Sequence, residues 1–167
     1  LKKNIKFEKN YSKRLEILTA LLLSGLVFKE YEENYHMGIK ELEKLVKNYF
    51  DDIGFPLTRN PSDLIFFSKY LLLCKECIRD AQQYVPDFLD TIIDKCLICI
   101  KNILTPTDTV PLFNGGTEEN LEEFKKFISE LEYKFISKKK IIGGLQKINI
   151  KNNIIFFDRG EPPKKSF

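Results

Sequence analysis

At 167 residues, with 43% hydrophobic and 31% charged residues, the chain has a globular composition that excludes disordered, collagen-like and disulfide-scaffold classes. Its 27 Lys+Arg against 24 Asp+Glu leave a net charge of only +3, and only Arg14, Arg59, Arg79 and Arg159 are arginine. A nucleic-acid-binding face, which favours clustered arginine, is therefore not expected. The chain opens on Leu1 with no secretory signal pattern after it and stops at Phe167 soon after a Pro-Pro pair, so it reads as a segment of a longer protein. The longest apolar run, Ile17 to Phe28, is about half of what a membrane span needs and predicts a buried helix instead. In that helix Ser12 is the expected N-cap, with Leu15, Leu18, Leu22 and Leu26 at helical spacing. Asn34 is the expected cap of a second helix carrying Ile39, Leu42, Val46 and Tyr49. Gly54 and Pro56 break the pattern, and Pro61 suits the first position of a third helix. That helix places Leu64, Phe67, Leu71, Cys74 and Ile78 on one face; a fourth, from near Pro86, does the same with Leu89, Ile93, Cys96, Ile100 and Ile103.

The character changes after Leu104. Thr105 to Thr117 reads as a long structured loop, the kind that often carries function, and Glu118 to Leu131 as a short helix with Glu in its first turn. The period then becomes two. Gln146, Ile148 and Ile150 face one way, Lys147, Asn149 and Lys151 the other, and Asn152-Asn153 turns into the apolar strand Ile154 to Phe157. Helices followed by strands predict an α+β class, with helical hairpins over residues 1–135 and a separate β-region over 136–167.

Cys74, Cys77, Cys96 and Cys99 form two C-x2-C pairs separated by eighteen residues, a spacing compatible with zinc. Both pairs, however, lie in apolar helical stretches without the glycine or polar turn that wraps a zinc knuckle. The cysteines are expected to pack as small hydrophobes, with no metal. His36 is the sole histidine, so a histidine-based triad or metal centre is not built here; a helix-terminal or surface role is expected. Lys138 to Lys140 reads as a solvated charge run. Asn114-Gly115-Gly116 reads as a turn, since no strand precedes it and no Lys-Ser/Thr follows.

Three ordered stretches resemble the heparinase II/III family, especially its proteobacterial members. Asp52 to Pro61 is similar to the family's D-G-G-H-x-x-R-[SN]-P segment. Ile93 to Cys99, followed by Leu112-Phe113-Asn114-Gly115, looks like its I-D-R-M-x-P-M run and F-N-G loop, with Cys96 and Cys99 standing where relatives carry Met. Gly144 to Ile148, then Ile154 to Pro163, resembles the G-Y-Q-R-L strand and D-x-G-x-P-P turn of its β-domain. The resemblance implies the end of an α/α toroid and the start of an antiparallel β-sandwich. It also implies a polysaccharide lyase acting by β-elimination on an acidic, uronate-containing polysaccharide, without a cofactor, and a periplasmic location.

Such a reaction needs a base, a group that neutralises the uronate carboxylate, and an acid for the leaving oxygen. The position where the family carries a catalytic Tyr is here Asp63, which would repel a uronate and suits helix capping, and Leu64 follows where the family often has His. No catalytic residue is therefore assigned. The substrate-binding candidates are Arg59, whose fork fits a carboxylate or sulfate, with Asn60 and Asn114; the alternative role for Arg59 and Asn60 is to fix the loop and start the helix. Two further readings stand beside the lyase: a non-catalytic carbohydrate-binding or envelope-biogenesis protein on the same fold, and a helical-repeat interaction module.

Overall fold

The computed structural model describes residues 8–138, 142, 144–151 and 153–160. The described residues form α1 (Tyr11–Val27), α2 (Glu32–Tyr49), α3 (Pro61–Asp80), α4 (Asp87–Ile103), α5 (Leu121–Glu130), β1 (Leu145–Ile150) and β2 (Asn153–Asp158). The class is α+β, with the strands an antiparallel pair. No described helix is long and apolar enough to cross a membrane. The chain forms two compact units: one takes in α1, α2 and the stretch Phe66–Ile93, the other Phe50–Ile65 and the chain from Asp94 through β2. Helices α3 and α4 thus each contribute residues to both units.

In the first unit most of the apolar stripe of α1 is buried as its spacing predicts, with Leu15, Leu18 and Leu22 fully enclosed and Leu26 half-buried. Burial of such a side chain stabilises by about 1.5–3 kcal/mol. The caps differ from expectation. Asn10, not Ser12, caps α1, its Oδ1 accepting from the Lys13 N–H at 3.0 Å. This leaves Tyr11 in the first turn, its ring centroid 5.0 Å from that of Tyr49. Asn34 does not cap α2, because a 3-10 turn over Lys29–Tyr31 leads straight into Glu32. Asn34 is instead buried within the first turns of α2, its Nδ2 donating to Ser24 Oγ at 3.0 Å. The acidic pair Glu32 and Glu33 supplies the charge that the helix start favours. Gly25 marks the closest approach of α1 to α2, since a Cβ there would meet the backbone nitrogen and Cβ of Tyr35. Tyr49 stacks on Phe67 of α3, centroids 4.0 Å apart at 13°.

In the second unit, Pro61 begins α3 and the Asn60 Oδ1 accepts from the Ser62 N–H at 2.8 Å. Just before it, Asp51 to Phe55 is a tight loop. Asp51 Oδ1 accepts from the N–H groups of Ile53 (2.9 Å) and Phe55 (2.8 Å), and Phe50 bridges Pro56. Cys96 and Cys99, one turn apart on α4, grip this loop, their thiols donating to the carbonyls of Gly54 (3.8 Å) and Ile53 (3.5 Å). The Thr105 to Thr117 loop is ordered by the Thr105 N–H donating to the Thr109 carbonyl at 2.9 Å and by buried Val110. Helix α5 is shorter than the stretch from Glu118 to Leu131, because Asn120 caps it, accepting from the Glu123 N–H at 3.0 Å.

The hairpin register pairs Lys147 with Phe156 and Ile148 with Ile155. Its two faces alternate as the period-two reading predicts, but Ile150 (50% exposed), Ile155 (38%) and Phe157 (47%) make the more apolar face the open one. Strand β2, although continuously apolar from Ile154 to Phe157, thus leaves Ile155 and Phe157 open. Lys151, at φ 51, forms the described part of the turn; Asn152, Lys139, Lys140 and the Pro162-Pro163 pair lie outside the described residues.

Candidate functional site

Two of the three binding candidates, Arg59 and Asn114, come together in the second unit around a further residue, Asp158 at the end of β2. Arg59 takes a left-handed backbone (φ 59) between the Pro56 turn and α3, its N–H bonded to the Pro56 carbonyl at 2.9 Å. For a residue with a Cβ this conformation costs roughly 1–2 kcal/mol, so surrounding contacts must hold it. They do so through the side chain. The side chain is only 10% exposed and its guanidinium clasps Asp158 side-on, Nη2 donating to Oδ1 and Nε to Oδ2 at 3.3 Å.

Asn114 completes the clasp from the long loop, at a left-handed φ of 50. Its Nδ2 donates to the Arg59 carbonyl and to Asp158 Oδ2, both at 3.2 Å. The Gly160 N–H donates to Asp158 Oδ1 at 3.1 Å. Partial burial pushes the Asp158 carboxyl upward, but Arg59, Asn114 and the Gly160 N–H outweigh it, and the pKa lies below the ordinary value. Asp158 is thus held as a carboxylate. Asn60 stands beside the clasp as the helix-start residue. Ser62 ties the long loop to the same place, with the Thr117 N–H donating to Ser62 Oγ at 2.9 Å and that hydroxyl donating to the Thr117 carbonyl at 3.2 Å. Asp63 accepts from Thr58 Oγ1 at 2.7 Å in the first turn of α3.

The fork of Arg59 therefore does meet a carboxylate, but one from its own chain. Asn60 and Asp63 organise the start of α3, and Asn114 cross-links the long loop to the hairpin. As built, the constellation positions three segments and holds its charges in fixed places; an incoming anion reaches Arg59 only by competing with Asp158. Asp158 is the member that sequence reasoning passed over. Its signal was present: an Asp followed two residues later by Gly, in a chain where Arg59 needed a counter-charge once buried.

Elsewhere, Cys74 is buried against Thr19, Sγ and Oγ1 3.5 Å apart, and burial pushes its thiol up to about 11. Among the described residues, no group of three or more His, Cys, Asp or Glu side chains is placed to hold a metal ion. His36 lies exposed on α2 with its ring edge-on to Tyr35, and Gly116 closes a turn onto the Phe113 carbonyl at 2.8 Å. No family model, curated protein or solved structure matches the chain.

Proposed function

We propose that this chain is part of a heparinase II/III-like polysaccharide lyase, spanning the end of an α/α toroid and the start of a β-sandwich and acting by β-elimination on an acidic, uronate-containing polysaccharide. One observation carries the reading. The three stretches that bear the resemblance supply Arg59, Asn114 and Asp158, and these side chains meet in a single hydrogen-bonded clasp although Arg59 and Asp158 are 99 positions apart. Motif residues scattered by chance along a chain have no reason to converge.

On this reading the clasp is a positioning element. It fixes the loop before α3, the long loop and the hairpin relative to one another within their unit, so that polar groups along them are presented without rearrangement. The proton-moving groups come from residues other than Asp63, whose negative charge disfavours a uronate and whose carboxylate is engaged by Thr58.

That same feature favours a second reading, a non-catalytic carbohydrate-binding or envelope-biogenesis protein on this fold. The hairpin after α5 weighs against a purely helical repeat module. Incubating the purified protein with a panel of uronate polysaccharides separates these readings. A lyase yields an unsaturated uronate product seen by ultraviolet absorbance, whereas glycan binding with unchanged polymer length selects the second reading. Neither product nor binding across the panel overturns both.

A further inference from the structure

A cleft of about 960 Å³ opens in the second unit between the end of α4, the segment around Lys138 and the hairpin face that carries Lys147 and Phe156. Lys101, Lys138, Lys147 and Arg159 line it, and among the described residues no Asp or Glu does. This is a strong local imbalance in a chain whose overall charge is only +3. None of these cations takes part in an ion pair among the described residues. Two of them lean instead on neutral partners. Lys147 Nζ donates to the Leu104 carbonyl and lies 5.7 Å from the centroid of the Phe156 ring, while Arg159 Nη1 donates to Gln146 Oε1 at 3.0 Å. Lys147 has its pKa pushed down, first by desolvation and then by the like charge of Lys101. Crowded, uncompensated cations cost stability, and an anion in the cleft relieves that cost.

We propose that this cleft binds a short acidic oligosaccharide, its carboxylates or sulfates paired with Lys101, Lys138, Lys147 and Arg159. The sugar identity rests on the polysaccharide reading above, and the preference for anions rests on the lining alone. The volume falls in the upper part of the ~300–1,000 Å³ range of small-molecule sites, which gives room for several rings rather than a single inorganic ion. Nucleic acid fits less well. Lysine predominates over arginine in the lining, and among the described residues the Phe156 ring, with Lys147 beside it, is the only aromatic there, so these residues offer successive bases no stacking platform.

The test is calorimetric titration of the purified protein, at low salt, with oligogalacturonate and with sulfated heparin-derived oligosaccharides. Lys101 and Lys138 are exposed, so Lys101→Glu combined with Lys138→Glu leaves the fold intact, which circular dichroism checks. The double variant is expected to weaken oligosaccharide binding by about tenfold or more, and Lys134→Glu, outside the lining, by less than about twofold. Binding that survives the double variant overturns the cleft assignment and leaves the polysaccharide reading standing. Tripolyphosphate or a single-stranded oligonucleotide binding as tightly as the sugars, with the same loss in the variant, overturns the sugar assignment. Polymer cleavage without oligosaccharide binding overturns the cleft alone, and failure of both cleavage and binding overturns both proposals.

Discussion

Asp158→Asn is expected to lower the stability of the protein by about 2–4 kcal/mol, a large fraction of the ~5–15 kcal/mol that holds a typical domain folded. The side chain keeps its shape and loses its charge, so Arg59, whose side chain is only 10% exposed, loses the carboxylate that its guanidinium clasps. A surface pair would be worth ~0–1 kcal/mol, but here the pair is bidentate and partly buried, and Asn114 and Gly160 aim further donors at the same carboxylate. The effect also depends on pH, with a sign fixed by the lowered pKa of Asp158. The carboxylate's contribution is complete above the ordinary Asp value of about 4 and is lost as pH falls through the lower folded value. Urea melts across pH 2–7 should therefore show wild type and D158N fully separated above about pH 4 and converging as the pH falls below it. Equal midpoints for the two proteins at neutral pH would remove the clasp from the account of stability. Replacing both partners with apolar groups, Arg59→Met with Asp158→Leu, is expected to recover much of the loss, because the buried cation is removed together with its carboxylate.

Gly54→Ala is expected to cost about 2–4 kcal/mol, for two independent reasons that act together. Gly54 has φ 92, a conformation that a residue with a Cβ adopts only under strain. Even if the backbone accepted the methyl group, it would run into the Cβ of Lys95 on α4, with the Lys95 carbonyl carbon 3.2 Å away. The loop cannot step back without breaking the Cys96 thiol contact to the Gly54 carbonyl and the Asp51 hydrogen bonds around it. Thermal denaturation gives the measurement, and a variant melting within a degree or so of wild type would show that the loop yields freely. Since Asp51 to Arg59 also delivers the guanidinium to Asp158, G54A should disturb the clasp as well.

The helices were legible because burial follows their 3.6-residue period: Leu15, Leu18 and Leu22, or Leu64, Phe67 and Leu71, occupy the stripes that their spacing drew. Their starts were less so, since Asn10 and Ser12 are equally good caps locally and only the placement of Tyr11 near Tyr49 distinguishes them. Arg59, Asn60 and Asn114 were visible as polar residues at loop and helix boundaries. The partner shared by Arg59 and Asn114 was not, because nothing in a local window links Arg59 to a carboxylate 99 positions later. The cleft lysines were hidden for the same reason: Lys101 belongs to a helix pattern, Lys138 to a charge run and Lys147 to a strand, and only the fold collects them.

The distance in sequence between the two halves of the clasp also bears on time. Closing a segment this long costs chain entropy of roughly (3/2)RT ln n before any contact rewards it, so the pair is expected to form after the nucleus, a prediction that the folding and unfolding rates of D158N check. An interaction absent from the transition state governs the rate of escape from the native state and hardly touches the rate of arrival. The clasp is in that sense a brake on unfolding: its loss shortens the lifetime of the folded protein while refolding proceeds at its former pace.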